Sequence, residues 1–249
     1  MRWGRLAGEN YRGAVVPRSL GLWLAACAAA SAIVVAAVQH VGTAGWGTLA
    51  GLLLVSAAGI VDDVFPGGPR GLRDHLRFLL SGHVSTGVLK FVVAVGASVG
   101  VVALQPQRAG AFEMAGILLV AASTNLWNGL DVVPGRALKA FLPVAAAVIV
   151  VWPLVGHLPF MPGLALGTAG LLPFDLRERA MLGDCGSNLL GFAAGLGLYA
   201  VLSDAAVVAA ALLAVALNLL AETVTLSRLI EGFPPVRWLD SLGRVRQTG

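Results

Sequence analysis

The feature that most limits the fold of this chain is a succession of apolar runs separated by short polar stretches. The runs fall at about 20–39, 44–61, 86–104, 110–124, 140–154, 159–173, 187–202 and 205–226. A segment in lipid must satisfy its backbone polar groups internally, and the helix is how a single run does so. The pattern predicts an all-α, polytopic membrane helix bundle with about eight transmembrane helices. Several runs are nearer 15 residues than the roughly 20 a span prefers, so flanking residues must complete them or the bilayer must thin. Pro153, Pro159 and Pro162 crowd the junction of the fifth and sixth runs, which also reads as one broken hairpin. Composition agrees with a membrane class: 12% of residues are charged, against about a quarter in a soluble domain. The 32 glycines suit close helix contact in lipid.

Charge sets the orientation. With residues 1–18 in the cytoplasm and the spans alternating, Arg70, Arg73, Arg77, Arg136, Lys139, Arg177, Arg179, Arg228, Arg237, Arg244 and Arg246 also fall inside, and Arg108 falls outside. Cytoplasmic loops carry such an excess of basic residues. The net charge of +4 is therefore explained by topology, and nucleic acid is not an expected partner. A multi-pass plasma-membrane protein with both termini cytoplasmic follows. The polar N-terminus lacks the apolar core and cleavage site of a signal peptide. Cys27 and Cys185 are too far apart in sequence to suggest a metal pair or a disulfide framework.

Three polar islands reach the cytoplasmic side. Asp62 and Asp63 close the second run; adjacent acids repel and call for a compensating cation, either a basic side chain or a metal ion. A solvated pair at a helix end is the bland alternative. Lys90 lies about one turn inside the third run, where a lysine must snorkel or pair with a carboxylate or phosphate. The second island holds Asn125, Asn128 and Asp131, three apart. If the helix continues through them, they lie near one face. Pro134-Gly135 then stops it, and Arg136 and Lys139 follow. Together these groups suit a polar, anionic ligand, or else they are an ordinary loop with capping asparagines. The third island is Gly183-Asp184-Cys185-Gly186-Ser187, where Ser187 is placed to cap the seventh helix and the glycines let backbone approach a ligand. Acids, amides and cations from three hairpins on one face suit Mg²⁺-dependent phosphoryl transfer to a lipid acceptor.

In this order and on this side, the motifs resemble those of the polyprenyl-phosphate N-acetylhexosamine-1-phosphate transferase family. They are Asp62-Asp63, Asn125-x-x-Asn128-x-x-Asp131 and Gly183-Asp184-x-Gly186-Ser187, with Asn10-Tyr-Arg-Gly13 resembling the family's first cytoplasmic loop. The resemblance implies a single membrane-embedded domain over residues 1–249. Its activity would be transfer of a sugar 1-phosphate from a UDP-sugar to polyprenyl (undecaprenyl) phosphate, releasing UMP, in cell-envelope glycopolymer synthesis. It implies Mg²⁺ as cofactor with Asp184 as its ligand, and Asp62, Asp63 and Asp184 as catalytic carboxylates. Lys90, Asn125, Asn128, Asp131, Arg136, Lys139 and Ser187 would bind substrate. Membrane lipid, and a second copy in a homodimer, complete the expected partners. Two departures stand out. The span that usually precedes the first loop is not in this sequence, so that either its start is truncated or this is a reduced form, and Glu231 to Asp240 replaces a histidine cluster common in the last cytoplasmic loop. They favour a rival reading, a non-catalytic member that binds lipid phosphate or a partner protein.

Overall fold

The computed structural model describes residues 6–10, 12–65, 77–78, 80–106, 108–155, 157–221 and 223–244. Arg2, Arg5, Arg70, Arg73, Asp74, His75 and Arg246 lie outside the described residues. Each of the eight apolar runs is a helix: α1 Leu20–Val38, α2 Thr43–Val64, α3 Thr86–Ala103, α4 Gly110–Leu130, α5 Arg136–Val155, α6 Met161–Leu176, α7 Gly183–Val201 and α8 Asp204–Ala221. Two short helices, α9 Leu226–Gly232 and α10 Pro234–Ser241, follow, and a hairpin of β1 Ala7–Glu9 and β2 Val15–Pro17 precedes α1. The proline-crowded junction separates two helices and does not merge them into one broken element.

The bundle is a polytopic membrane helix bundle. Among the described residues, five helices, α1 to α4 and α8, are long and apolar enough to cross a membrane. Helix α6 has 16 residues, a rise of about 24 Å against a hydrocarbon core of roughly 30 Å. Helix α7 is the hub. It packs against α1, α2, α4 and α5, and 14 of its 19 residues are buried. Its lining is protein, so it can carry Asp184, Ser187 and Asn188 without facing lipid.

Small residues make that enclosure possible. A Cβ on Gly191 would meet the Ser123 carbonyl oxygen, Thr124 Cα and Trp127 Cβ at 2.5–2.8 Å, and one on Gly195 would meet Val120 Cα at 2.7 Å. Helices α4 and α7 therefore approach backbone to backbone. Gly191→Val is expected to destabilise the bundle by about 1–3 kcal/mol through overpacking, read as a lowered thermal midpoint in detergent. An unchanged midpoint would refute this account of the α4–α7 contact.

The helix does continue through the second island, while one boundary, the start of α7, differs from the sequence reading. Helix α4 runs on through Asn125 and Asn128 to Leu130, with Asp131 as its C-cap. Helix α7 begins at Gly183, so Ser187 lies inside the helix and does not cap it. The sequence reading missed this because Gly183 and Gly186 look like loop residues. Gly183 does have φ +71°, but it opens the helix. Gly186 sits where α7 meets Gly21 of α1, backbone against backbone.

Candidate active site

One end of the bundle gathers the polar islands. The amino-terminal hairpin docks there. Met181 N–H donates to the Pro17 carbonyl at 2.8 Å, and Leu20 and Gly21 N–H donate to Met181 and Leu182. Asn10 folds its own turn, accepting from Arg12 N–H and Ala14 N–H at 2.9 Å each, and donates to Glu178 at 3.1 Å. The hairpin thus fixes the chain that leads into α7.

Asp62 and Asp63 diverge. Asp62 faces α3, where Lys90 Nζ donates to its Oδ2 at 2.5 Å and to Asp184 Oδ2 at 2.9 Å. Lys90 therefore bridges two carboxylates from α2 and α7, all three side chains being partly accessible at 17–28% exposure. Asp63 is 2% exposed and points at α7 instead, accepting from Asp184 N–H at 3.1 Å and Cys185 N–H at 3.0 Å. Arg18 stands 3.9 Å away. Beneath them Ser56 Oγ and Cys185 Sγ are buried together at 3.1 Å.

The second island is spread round α4. Asn128 accepts from Ser187 Oγ at 3.2 Å and so joins α7. Asn125 is exposed and donates to Asn218 of α8 at 2.6 Å, while Asn218 donates to the Ala122 carbonyl at 2.9 Å. Asp131 lies just beyond the helix. Burial, then the carboxylates of Asp175, Asp184 and Asp63, push its carboxyl well above the usual range, and the Gly183 N–H partly offsets this. Asp175 itself accepts from Gly135 N–H at 2.6 Å and so holds the Pro134-Gly135 turn.

Arg136 and Lys139 lie in the first turns of α5, and both face the chain's own tail. Arg136 is 5% exposed and donates through Nε and Nη2 to the two carboxylate oxygens of Asp240 at 2.9 and 3.0 Å, and through Nη1 to Ser227 at 2.8 Å. Lys139 Nζ donates to the carbonyls of Leu239, Asp240 and Leu242. It thereby caps α10, whose terminal carbonyls favour a cation. Arg136 and Arg244 beside Asp240 hold its carboxyl below the usual value of 3.8, against the opposing effect of burial. A depressed folded value means the clasp contributes fully above pH 3.8 and weakens as pH falls through the folded value. Release of the tail as pH falls below 3.8 toward the depressed folded value, seen as lower protection from amide exchange in α10, relative to the intrinsic rate at each pH, while α7 stays protected, is the expected result. Asp240→Asn should release it already at pH 7, because a buried Arg136 loses its partner at a cost of about 3 kcal/mol.

Sequence reasoning gave no role to Asn218, Asp175 or Arg18. Asn218 was detectable as the lone asparagine in an apolar run. Among the described residues, no group of three His, Cys, Asp or Glu side chains stands close enough to enclose a metal. Mg²⁺ nevertheless suits the oxygens present, since it commonly takes one or two carboxylates and completes its shell with water and substrate phosphates.

Residues 45–204 match the family described as Glycosyl transferase family 4. The match spans well over half of the chain, and the chain belongs to this family. It takes in Asp62, Asp63, Lys90, Asn125, Asn128, Asp131, Arg136, Lys139, Asp184 and Ser187, and leaves the amino-terminal hairpin and the α9–α10 tail outside. Among curated proteins none matches.

Proposed function

We propose that this family 4 glycosyl transferase moves a sugar 1-phosphate, from an N-acetylhexosamine class of UDP-sugar, to polyprenyl phosphate at the cytoplasmic face of the plasma membrane, in cell-envelope glycopolymer synthesis. The observation that carries the reading is the Asp62–Lys90–Asp184 constellation. It brings two acids and a cation from three helices to one end of a membrane bundle, still partly open to ligand. An oxygen of the lipid phosphate would bond to the sugar-bearing phosphorus, and the bridging oxygen would leave with UMP. Asp62 would accept a proton from the attacking phosphate, and Lys90 would neutralise phosphate charge. Asp184, with Asp62 beside it, would hold Mg²⁺, which when bound supplies charge neutralisation on the diphosphate. Asp131 and Asn128 flank the same end and would contact the nucleotide sugar.

Purified protein given undecaprenyl phosphate, Mg²⁺ and a panel of UDP-sugars tests the reading through UMP release. Metal-dependent UMP from one donor supports it and names the sugar. A folded protein silent with every donor, with or without added upstream sequence, would leave the non-catalytic lipid-phosphate or partner-binding reading. The engagement of Arg136 and Lys139 by the tail favours that second reading.

A further inference from the structure

The resemblance makes both members of the Asp62-Asp63 pair catalytic carboxylates, but the geometry separates them. The first N–H groups of any helix have no acceptor within it. The residue at the N-cap of α7, Leu182, has no side-chain oxygen to offer. Asp63 fills the gap from another helix, its two carboxylate oxygens taking the N–H groups of Asp184 and Cys185 at 3.1 and 3.0 Å. Its negative charge also complements the positive end of the helix dipole.

Surrounding contacts fit the same purpose. A Cβ on Gly183 would come within 2.8–3.2 Å of the Asp63 carboxylate, so glycine there leaves room for the cap as well as permitting φ +71°. Gly59, one turn before Asp63 on α2, packs directly on the backbone of Asp184 and Cys185. Asp62 makes neither contact; it meets Lys90.

We infer that Asp63 is a positioning residue, an amino-terminal cap for α7 supplied by α2, which sets the Asp184 carboxylate against Lys90 and leaves Asp62 as the acid of the pair that faces substrate. This rests on the transferase reading only for its kinetic arm.

Amide exchange in the unmodified full-length protein tests the cap without substrate. Asp184 and Cys185 N–H groups should be protected as strongly as the middle of α7, although they open the helix. In Asp63→Ala their exchange should rise at least about a hundredfold, with residues 190–199 unchanged. The kinetic arm compares Asn with Ala. Asparagine keeps one of the two acceptor oxygens, enough to take one of the two N–H groups as at an ordinary N-cap, but its NH2 cannot accept from the other and it cannot act as a base. Asp63→Asn should therefore keep at least about a tenth of kcat with the donor KM unchanged, while Asp63→Ala loses about a hundredfold.

Fast exchange at 184–185 in the unmodified protein, or no change there in Asp63→Ala, would overturn the inference even with transferase activity intact. So would Asp63→Asn as inactive as Asp63→Ala while its exchange at 184–185 stays close to that of the unmodified protein, which would mark Asp63 as a base or ligand. If Asp63→Ala does not fold, the unmodified protein and Asp63→Asn still decide. Absence of UMP release from every form would instead count against the transferase reading and leave the exchange result standing.

Discussion

Asp184→Asn is expected to lower kcat for UMP release by about a thousandfold, which corresponds to roughly 4 kcal/mol of transition-state stabilisation. The side chain would keep its size and its place in the first turn of α7, because the cap acts on backbone N–H groups and not on the Asp184 carboxylate. What the substitution removes is one negative charge and one hard oxygen beside Lys90. Phosphoryl transfer, the reaction proposed, depends mainly on positioning and charge neutralisation, so if Asp184 holds the metal its loss should fall on kcat. Mg²⁺ titration should show the same loss as a right-shifted dependence on metal. Full turnover in Asp184→Asn would remove the basis for placing the metal at this carboxylate. Asp131→Ala is the contrasting case, expected to raise KM for the nucleotide sugar more than it lowers kcat.

The second large effect is on stability. Lys90→Met should lower the thermal midpoint steeply, at a cost of about 3–5 kcal/mol. Removing one partner of a partly buried ionic group leaves the others uncompensated, and here the bridging ammonium leaves two carboxylates facing each other. The interpretation has a sharper check than the single variant. Adding Asp62→Asn to Lys90→Met should restore part of the lost stability, since one of the repelling charges is then gone. A double-mutant cycle reads that coupling directly. Strict additivity of the two losses would show that Lys90 contributes by packing alone.

How much of this was legible beforehand depends on the kind of signal. The eight helices follow from apolar run length, and Lys90 was readable because a lysine inside a span demands a partner. The fate of Asp62 against Asp63 was also in the sequence, though it went unread. Leu52, Ser56, Gly59 and Asp63 are buried at spacings of four, three and four residues, the stripe by which a helix faces its core. Asp62 lies one residue off that stripe, rotated toward α3. For Asn125, Asn128 and Asp131 the expectation of one shared face held less well. A step of three residues falls about 60° short of a full turn, so the triad drifts round the helix from Asn218 through Ser187 to the Gly183 backbone. The tail was beyond sequence reasoning. Nothing local marks Asp240 as the partner of Arg136, which lies 104 positions earlier.

Helix α7 also says which parts of the site end can rearrange. Its first turn is gripped by Asp63, Gly59 and Gly21, and its length is sunk among the neighbouring helices. It therefore serves as the fixed jaw of a vice. The moving jaw consists of groups held by charge and not by burial in the core: the Lys90 side chain, partly open between its two acids, and the α9–α10 tail, fastened through Asp240. The phosphate-bearing substrates proposed above would compete for those same charges. Any adjustment to them falls on that side, while the carboxylate of Asp184 stays referenced to the frame.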